Sequence, residues 1–210
     1  MRRPWFVALL VLSVAVIILG AGFYVMVRNM GAIIASVPVQ STINVQAEYD
    51  KSIKRLTEAP DEGWRYAALG DAALWSVDMG RLDDAEAYAR ELLELRAKHV
   101  GRDWNSGNAV HKAHSTFGRI AIKRGDISEA ERQLALAATS EGSPQMDTFG
   151  PNMTLARDLL ATGRPSARQA VVTYLDGLHR FWKMDNGAIR VWRSDVEAGR
   201  EPNFGAHLLY

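Results

Sequence analysis

His111 and His114, one helical turn apart with His99 and Asp103 upstream, are the residues whose types and spacing come nearest to chemistry. Side chains at i and i+3 share a helix face and can hold one metal ion between them. The set is incomplete: no third ligand is assigned, no H-E-x-x-H helix occurs, and His114 falls on an apolar stripe. Structural histidines explain the pair better than ligands do, and a metal-dependent hydrolase built here is the most distant reading. Other catalytic templates fail, since the chain has no G-x-G-x-x-G, no P-loop and no G-x-S-x-G. The adjacent carboxylates Asp83 and Asp84 open a helical segment, where acids complement the backbone dipole. There is no cysteine, which excludes disulfides, thiolate metal sites, iron–sulfur clusters and thiol nucleophiles. These residues point to a protein that is not an enzyme and carries no cofactor.

Charge is distributed unevenly. Residues 70–94 hold seven acids against Arg81 and Arg90, whereas residues 96–124 hold Arg96, Lys98, Arg102, Lys112, Arg119, Lys123 and Arg124 against Asp103 alone. One reading is that adjacent helices pair these opposite charges, each exposed pair contributing about 0–1 kcal/mol. The other is a basic surface held for a partner. Both stay open at the level of sequence.

The elements that must position these groups begin with an anchor. Trp5 to Val27 contains no charged residue, and at about 1.5 Å per residue such a helix spans roughly 34 Å, more than a hydrocarbon core. A cleaved signal peptide has an apolar region of only about 7–15 residues, so the length favours an uncleaved signal anchor. Arg2 and Arg3 precede the span and Arg28 alone follows it closely. The positive-inside bias then keeps the N-terminus in the cytoplasm and sends the rest across the inner membrane. Residues 1–28 are read as this N-terminus and anchor, with lipid contact through residues 5–27, and residues 29–45, which include Pro38, as a linker. The chain has 25 Lys plus Arg and 24 Asp plus Glu; residues 1–30 hold three arginines and no acid, leaving 22 against 24. That balance argues against nucleic acid as a partner. An exported domain without cysteine suits a bacterial envelope.

From Gln46 onward the apolar residues recur at helical spacing. Trp64, Ala68, Ala72, Trp75 and Met79 form one such stripe, as do Leu82, Ala85, Ala89 and Leu92, then Val110, Ala113, Phe117 and Ile120. Ile127 to Ala137, Ala167 to Leu178 and Ile189 to Val196 continue the pattern, and no segment needs a strand. The tryptophans of these stripes, Trp64, Trp75, Trp182 and Trp192, are expected in the core, while Trp104 is expected to face a partner. Gly80, Gly125 and Gly163 punctuate the stripes as helix-ending glycines. The expected class is all-α: one transmembrane helix followed by antiparallel helical hairpins.

Met79–Glu86 (MGRLDDAE) matches Arg124–Glu131 (RGDISEAE) at an offset of 45, with glycine, a branched apolar residue, an acid, alanine and glutamate coinciding. This resembles the tetratricopeptide repeat. The resemblance places Ala73 and Gly118 at the small position of a first helix and Ala85 and Ala130 at that of a second. It covers roughly residues 64–182, with a longer connection around His99–Asn108 and a degenerate third hairpin, Leu155–Leu178, where Arg168 stands in place of alanine. It implies a helical-hairpin domain over 46–182, an α-solenoid, with 183–210 as a capping helix and tail. It also implies a concave face on which Lys112, Ser115, Arg119, Ile122 and Lys123 form a basic wall opposite Ala67, Gly70, Leu74, Val77 and Asp78. Partner binding is thus assigned to Lys112, Ser115, Arg119, Lys123 and Trp104. The function implied is a membrane-anchored scaffold, an accessory subunit or assembly factor that binds other membrane or envelope proteins. An envelope chaperone for exported chains is the alternative.

Overall fold

The computed structural model describes residues 43–98 and 105–209, and among them the chain forms helices and no strand. The anchor Trp5–Val27, most of the 29–45 linker, His99, Asp103 and Trp104 lie outside the described residues. Among those described, no helix is long and apolar enough to cross a membrane.

The helices are α1 Val45–Thr57, α2 Glu62–Asp78, α3 Leu82–Lys98, α4 Ser106–Lys123 and α5 Ile127–Ala137. They continue as α6 Pro144–Phe149, α7 Thr154–Leu160, α8 Pro165–Leu178 and α9 Ala188–Glu197, followed by a 3-10 turn at Gly205–Leu208. Their starts are written in the sequence. The side chains of Asn44, Asp61, Asp126 and Ser143 each accept a hydrogen bond from an otherwise unpaired amide of the first helical turn. Pro144 fills a position at the start of α6 where its missing N–H costs nothing.

The two halves of the sequence repeat coincide down to individual backbone hydrogen bonds. Gly80, at φ 72°, ends α2 with its N–H donating to the Val77 carbonyl and that of Arg81 donating to the Ser76 carbonyl. Gly125, at φ 83°, ends α4 with the same pair of bonds, from Gly125 to Ile122 and from Asp126 to Ala121. Only glycine takes this left-handed conformation without penalty, and the pattern satisfies two orphan carbonyls before the chain reverses. The third turn departs from this, because the Arg164 amide donates to the Thr162 hydroxyl instead of a helix carbonyl.

Consecutive helices pack on one another from α1 to α5 and from α7 to α9, with α2 also on α4, α4 on α7, and α5 on both α7 and α8. The small residues permit this: Ala73, Ala85 and Ala130 are fully buried, and a Cβ at Gly118 would run into Leu155 of α7. Two main cores result. Leu56, Leu69, Leu92, Leu95 and a set of alanines from α1 to α4 form the first. The second is larger and runs from Ala121 to Phe204, so that Ile189, Trp192 and Val196 of α9 and Phe204 of the tail share one interior with α5, α7 and α8. One expectation fails within the described helices. Trp64, in the first turn of α2, is 65% exposed, although Arg65 beside it reaches Glu91 of α3 and Tyr66 is buried.

Candidate functional site

Lys112 and Arg119 of α4, and Arg124 just past its end, meet acids of their own chain. Lys112 Nζ lies 2.5 Å from Asp71, and Arg124 reaches Asp83 and Glu86 at 3.3 and 2.8 Å. Arg119 is the centre of the arrangement: its side chain is only 4% exposed, with one edge on Asp78 of α2 at 2.5 Å and Nε on Asp158 of α7 at 2.8 Å. One guanidinium therefore ties three helices together. Burial disfavours its charge, yet hydrogen bonds and attraction from the two carboxylates outweigh that, and its pKa is raised. Within the basic block, Arg96, Lys98, Lys112, Arg119 and Arg124 are thus paired inside the chain. Of the side chains expected to meet a partner, Arg119 and Ser115 are buried, with α2 and α7 packed against α4, and Arg119 lines the smaller of the two cavities described below. Lys112 is partly buried against Gly70, where a Cβ would meet its side chain, and Lys123 is exposed.

The histidines diverge. His111 Nε2 and the Tyr174 hydroxyl share a 2.7 Å hydrogen bond, whereas His114 Nδ1 bonds Gln133 on α5 at 2.7 Å. Burial, with Lys112 and His114 adding to it, holds His111 at a pKa of about 3, and burial pushes Tyr174 up. Burial thus favours the neutral form of both groups. Among the described residues no cluster of three metal-ligating side chains occurs.

Beside this buried layer two cavities adjoin, sharing Asp71 and Asn152, and together make a trough. The larger, of 370 Å³, lies between Asp71 of α2, Asn108, His111 and Lys112 of α4, and the α6 loop, which contributes Met146, Phe149 and Pro151. The smaller, of 170 Å³, is walled by Glu48, Lys51 and Arg55 of α1, by Leu74 and Asp78 of α2, and at its far side by Leu208 and Leu209. Asp71 sits at the junction. Burial works to raise its pKa, but Lys112, Arg55 and Lys51 overcome this and hold the carboxyl below its usual range, so it stays ionised.

The loop that closes the larger cavity is held unusually firmly. A Cβ at Gly107 would overlap the carbonyl of Gly142, so the chain after α5 lies directly against the start of α4. The Ser140 hydroxyl donates to the Gly107 carbonyl at 2.9 Å. The Ser143 hydroxyl donates to the Asn108 side-chain oxygen at 2.9 Å, and the Asn108 amide donates to Gln145 at 2.7 Å. A Cβ at Gly150 would strike the ring of Trp182. The Met153 amide donates to the His207 carbonyl at 2.8 Å, fixing the tail behind the loop. Phe149 remains 49% exposed at the mouth. Pinning a loop in this way costs conformational entropy and yields a pre-formed wall, which is what a binding cavity requires.

Sequence reasoning did not find Asn108, Gln145, Phe149 or Asn152. The available signal was the segment Ser143–Asn152 (SPQMDTFGPN), dense in proline, glycine and turn-forming side chains within an otherwise periodic chain. Its Asn152-Met153-Thr154 tripeptide matches a glycosylation acceptor, but the Asn152 side chain is buried and caps Thr154, so the tripeptide is inaccessible in the folded chain. Comparison with family models, with curated proteins and with solved structures returns no match.

Proposed function

We propose that this chain is a non-catalytic, membrane-tethered scaffold of tetratricopeptide-like hairpins, serving as an accessory subunit or assembly factor of a larger membrane or envelope complex. The observation that carries the reading is the repeat itself. Identical capping bonds recur 45 residues apart, the first helices of successive hairpins stack as α2 on α4 and α4 on α7, and a trough lies along that stack. Stacked hairpins present extended surfaces of this kind, and partner binding is their usual work. The non-catalytic part of the reading rests on the trough's titratable groups, which are engaged with one another: Asp71 with Lys112, Asp78 with Arg119, and His111 with Tyr174. The apolar, uncharged run Trp5–Val27 supports the tether, and Arg2 and Arg3 support a domain beyond the inner membrane.

The test is recovery of the full chain in mild detergent, followed by mass spectrometry of what remains bound. A fixed stoichiometric set of partners is expected. A broad, variable set of unfolded exported chains would identify a holding chaperone instead, and recovery of the chain alone would overturn the scaffold. Protease added outside spheroplasts should digest residues 46–210; their protection would overturn the orientation.

A further inference from the structure

The geometry points to a specific occupant of the trough: we propose an extended partner segment that seats a large apolar side chain against Met146, Phe149 and Pro151 and offers a carboxylate to Lys51 and Arg55. The inference rests on the scaffold reading and adds to it the chemistry of what is bound.

The apolar half of the argument is the 370 Å³ cavity, which is large enough for a leucine or phenylalanine side chain. Its wall is pre-formed by the Gly107–Gly142 approach and the Asn108 hydrogen bonds, so a ligand need not order it. Preorganisation of this kind turns contact area into affinity that would otherwise be lost to side-chain and loop ordering. Polar groups at the rim, Asn108 and Gln145, suit a peptide backbone passing over the mouth.

The charged half comes from the α1 wall. Arg119 and Arg157 together balance Asp78 and Asp158, and these four drop out of the balance. What is left is Lys51, Arg55 and Lys112 against Glu48 and Asp71. Asp71 is shared by two cations, Lys112 at 2.5 Å and Arg55 at 3.4 Å. Lys51 is 3.3 Å from Glu48. The side chains of Lys51 and Arg55 are 55% and 56% exposed, so each can turn toward an incoming anion, whereas Lys112 is held in place. A surplus positive charge beside an apolar cavity selects an acid next to an apolar residue, and disfavours a basic segment at the same place.

The experiment is to pan a random peptide library over the detergent-solubilised full chain, then measure binding of enriched peptides by fluorescence anisotropy. Enriched sequences should pair a large apolar residue with a nearby Asp or Glu. Phe149→Ser should abolish their binding. Lys51→Glu combined with Arg55→Glu should weaken it by about tenfold or more, since charge-assisted contacts are lost and replaced by repulsion. Ala87→Ser, on the exposed face of α3, should change nothing, and circular dichroism should show all variants folded. Peptides that depend on Phe149 but carry no acid and ignore the α1 double variant would overturn this inference while leaving the trough as a docking site. Failure to enrich any peptide, or binding indifferent to Phe149→Ser, would overturn both.

Discussion

The interior shared by α1 to α4 is built from alanines and leucines, with Ala68, Ala72, Ala73, Ala89, Ala109 and Ala113 among its buried residues. The interior shared by α5, α7, α8, α9 and the tail is built around Tyr174, Phe181, Trp182, Trp192 and Phe204. Alanine buries little area of its own, so the first region gains stability by bringing helices close and by pairing charges across them, as Asp71 with Lys112 and Asp78 with Arg119. The second gains it from large rings: Trp192 lies 5.6 Å from Trp182, 5.1 Å from Phe204 and 5.0 Å from His207, and its Nε1 donates to the Asn203 carbonyl. The trough lies where the two meet. Arg119 crosses that seam, which is why a charged residue is tolerated in so buried a place.

The comparison can be broken first at its apolar end. Trp192→Ala should cost about 3–5 kcal/mol, read as a fall in the midpoint of denaturant unfolding. A cost below about 1 kcal/mol would mean that the aromatic cluster is a surface cover rather than a core. Next comes the seam. Arg119→Met leaves Asp78 and Asp158 without their shared cation and should cost about 3 kcal/mol, the lower end for a broken buried pair, because both carboxylates keep some contact with water. At that size the melting temperature should fall by roughly 6–12 °C. An unchanged melting temperature would show that α2, α4 and α7 do not need the strut.

Close approach in the hairpins is the next largest effect. Ala85→Leu and Ala130→Leu, at equivalent and fully buried positions, should each cost about 1–3 kcal/mol by overpacking. Ala87→Leu, on the exposed side of α3, should be close to neutral. Equal shifts at all three positions would remove the argument from small residues.

Acid should separate the regions more subtly. His207, packed among the rings, is held by burial at about 4 against an ordinary 6.5. A histidine whose folded pKa is depressed binds its proton more readily when unfolded, so its contribution is present above about pH 6.5 and is lost as pH falls toward 4. Asp71 is also depressed, but from a carboxylate value of 3.8, so its contribution fades only below about pH 4. Melting curves from pH 7 to 3 should therefore show two stages. His207→Gln should reduce the first, to which His111, held at about 3, also contributes, and Asp71→Asn should reduce the second. A single stage insensitive to either substitution would contradict the assignment.

Helices and their packing faces could be read before the structure in both regions, Trp182 and Trp192 of the second included. Periodicity and a glycine describe one helix and its end, so Gly80, Gly125, Ala85 and Ala130 carried their meaning locally. The charge blocks at 70–94 and 96–124 were also legible, but choosing between a pairing and a free surface required knowing that α2 and α7 bring Asp78 and Asp158 to Arg119. Asp158, its second partner, is 39 residues away in sequence, and no local rule connects them. The cavity was invisible for the same reason. Its wall depends on Gly107 touching Gly142 and Gly150 touching Trp182, contacts between segments whose spacing has no period. Trp64 shows the opposite error, a residue on the helical stripe that is nonetheless exposed.

The proposal to be tested is that this chain meets a partner through the trough at the seam. A photo-activated cross-linker placed at Phe149, and separately at Ala87, in the full chain expressed in its native cells tests this directly. The account predicts a discrete, competable cross-link to one partner from Phe149 and none from Ala87. Equal labelling from both positions, or capture from Ala87 alone, would contradict it.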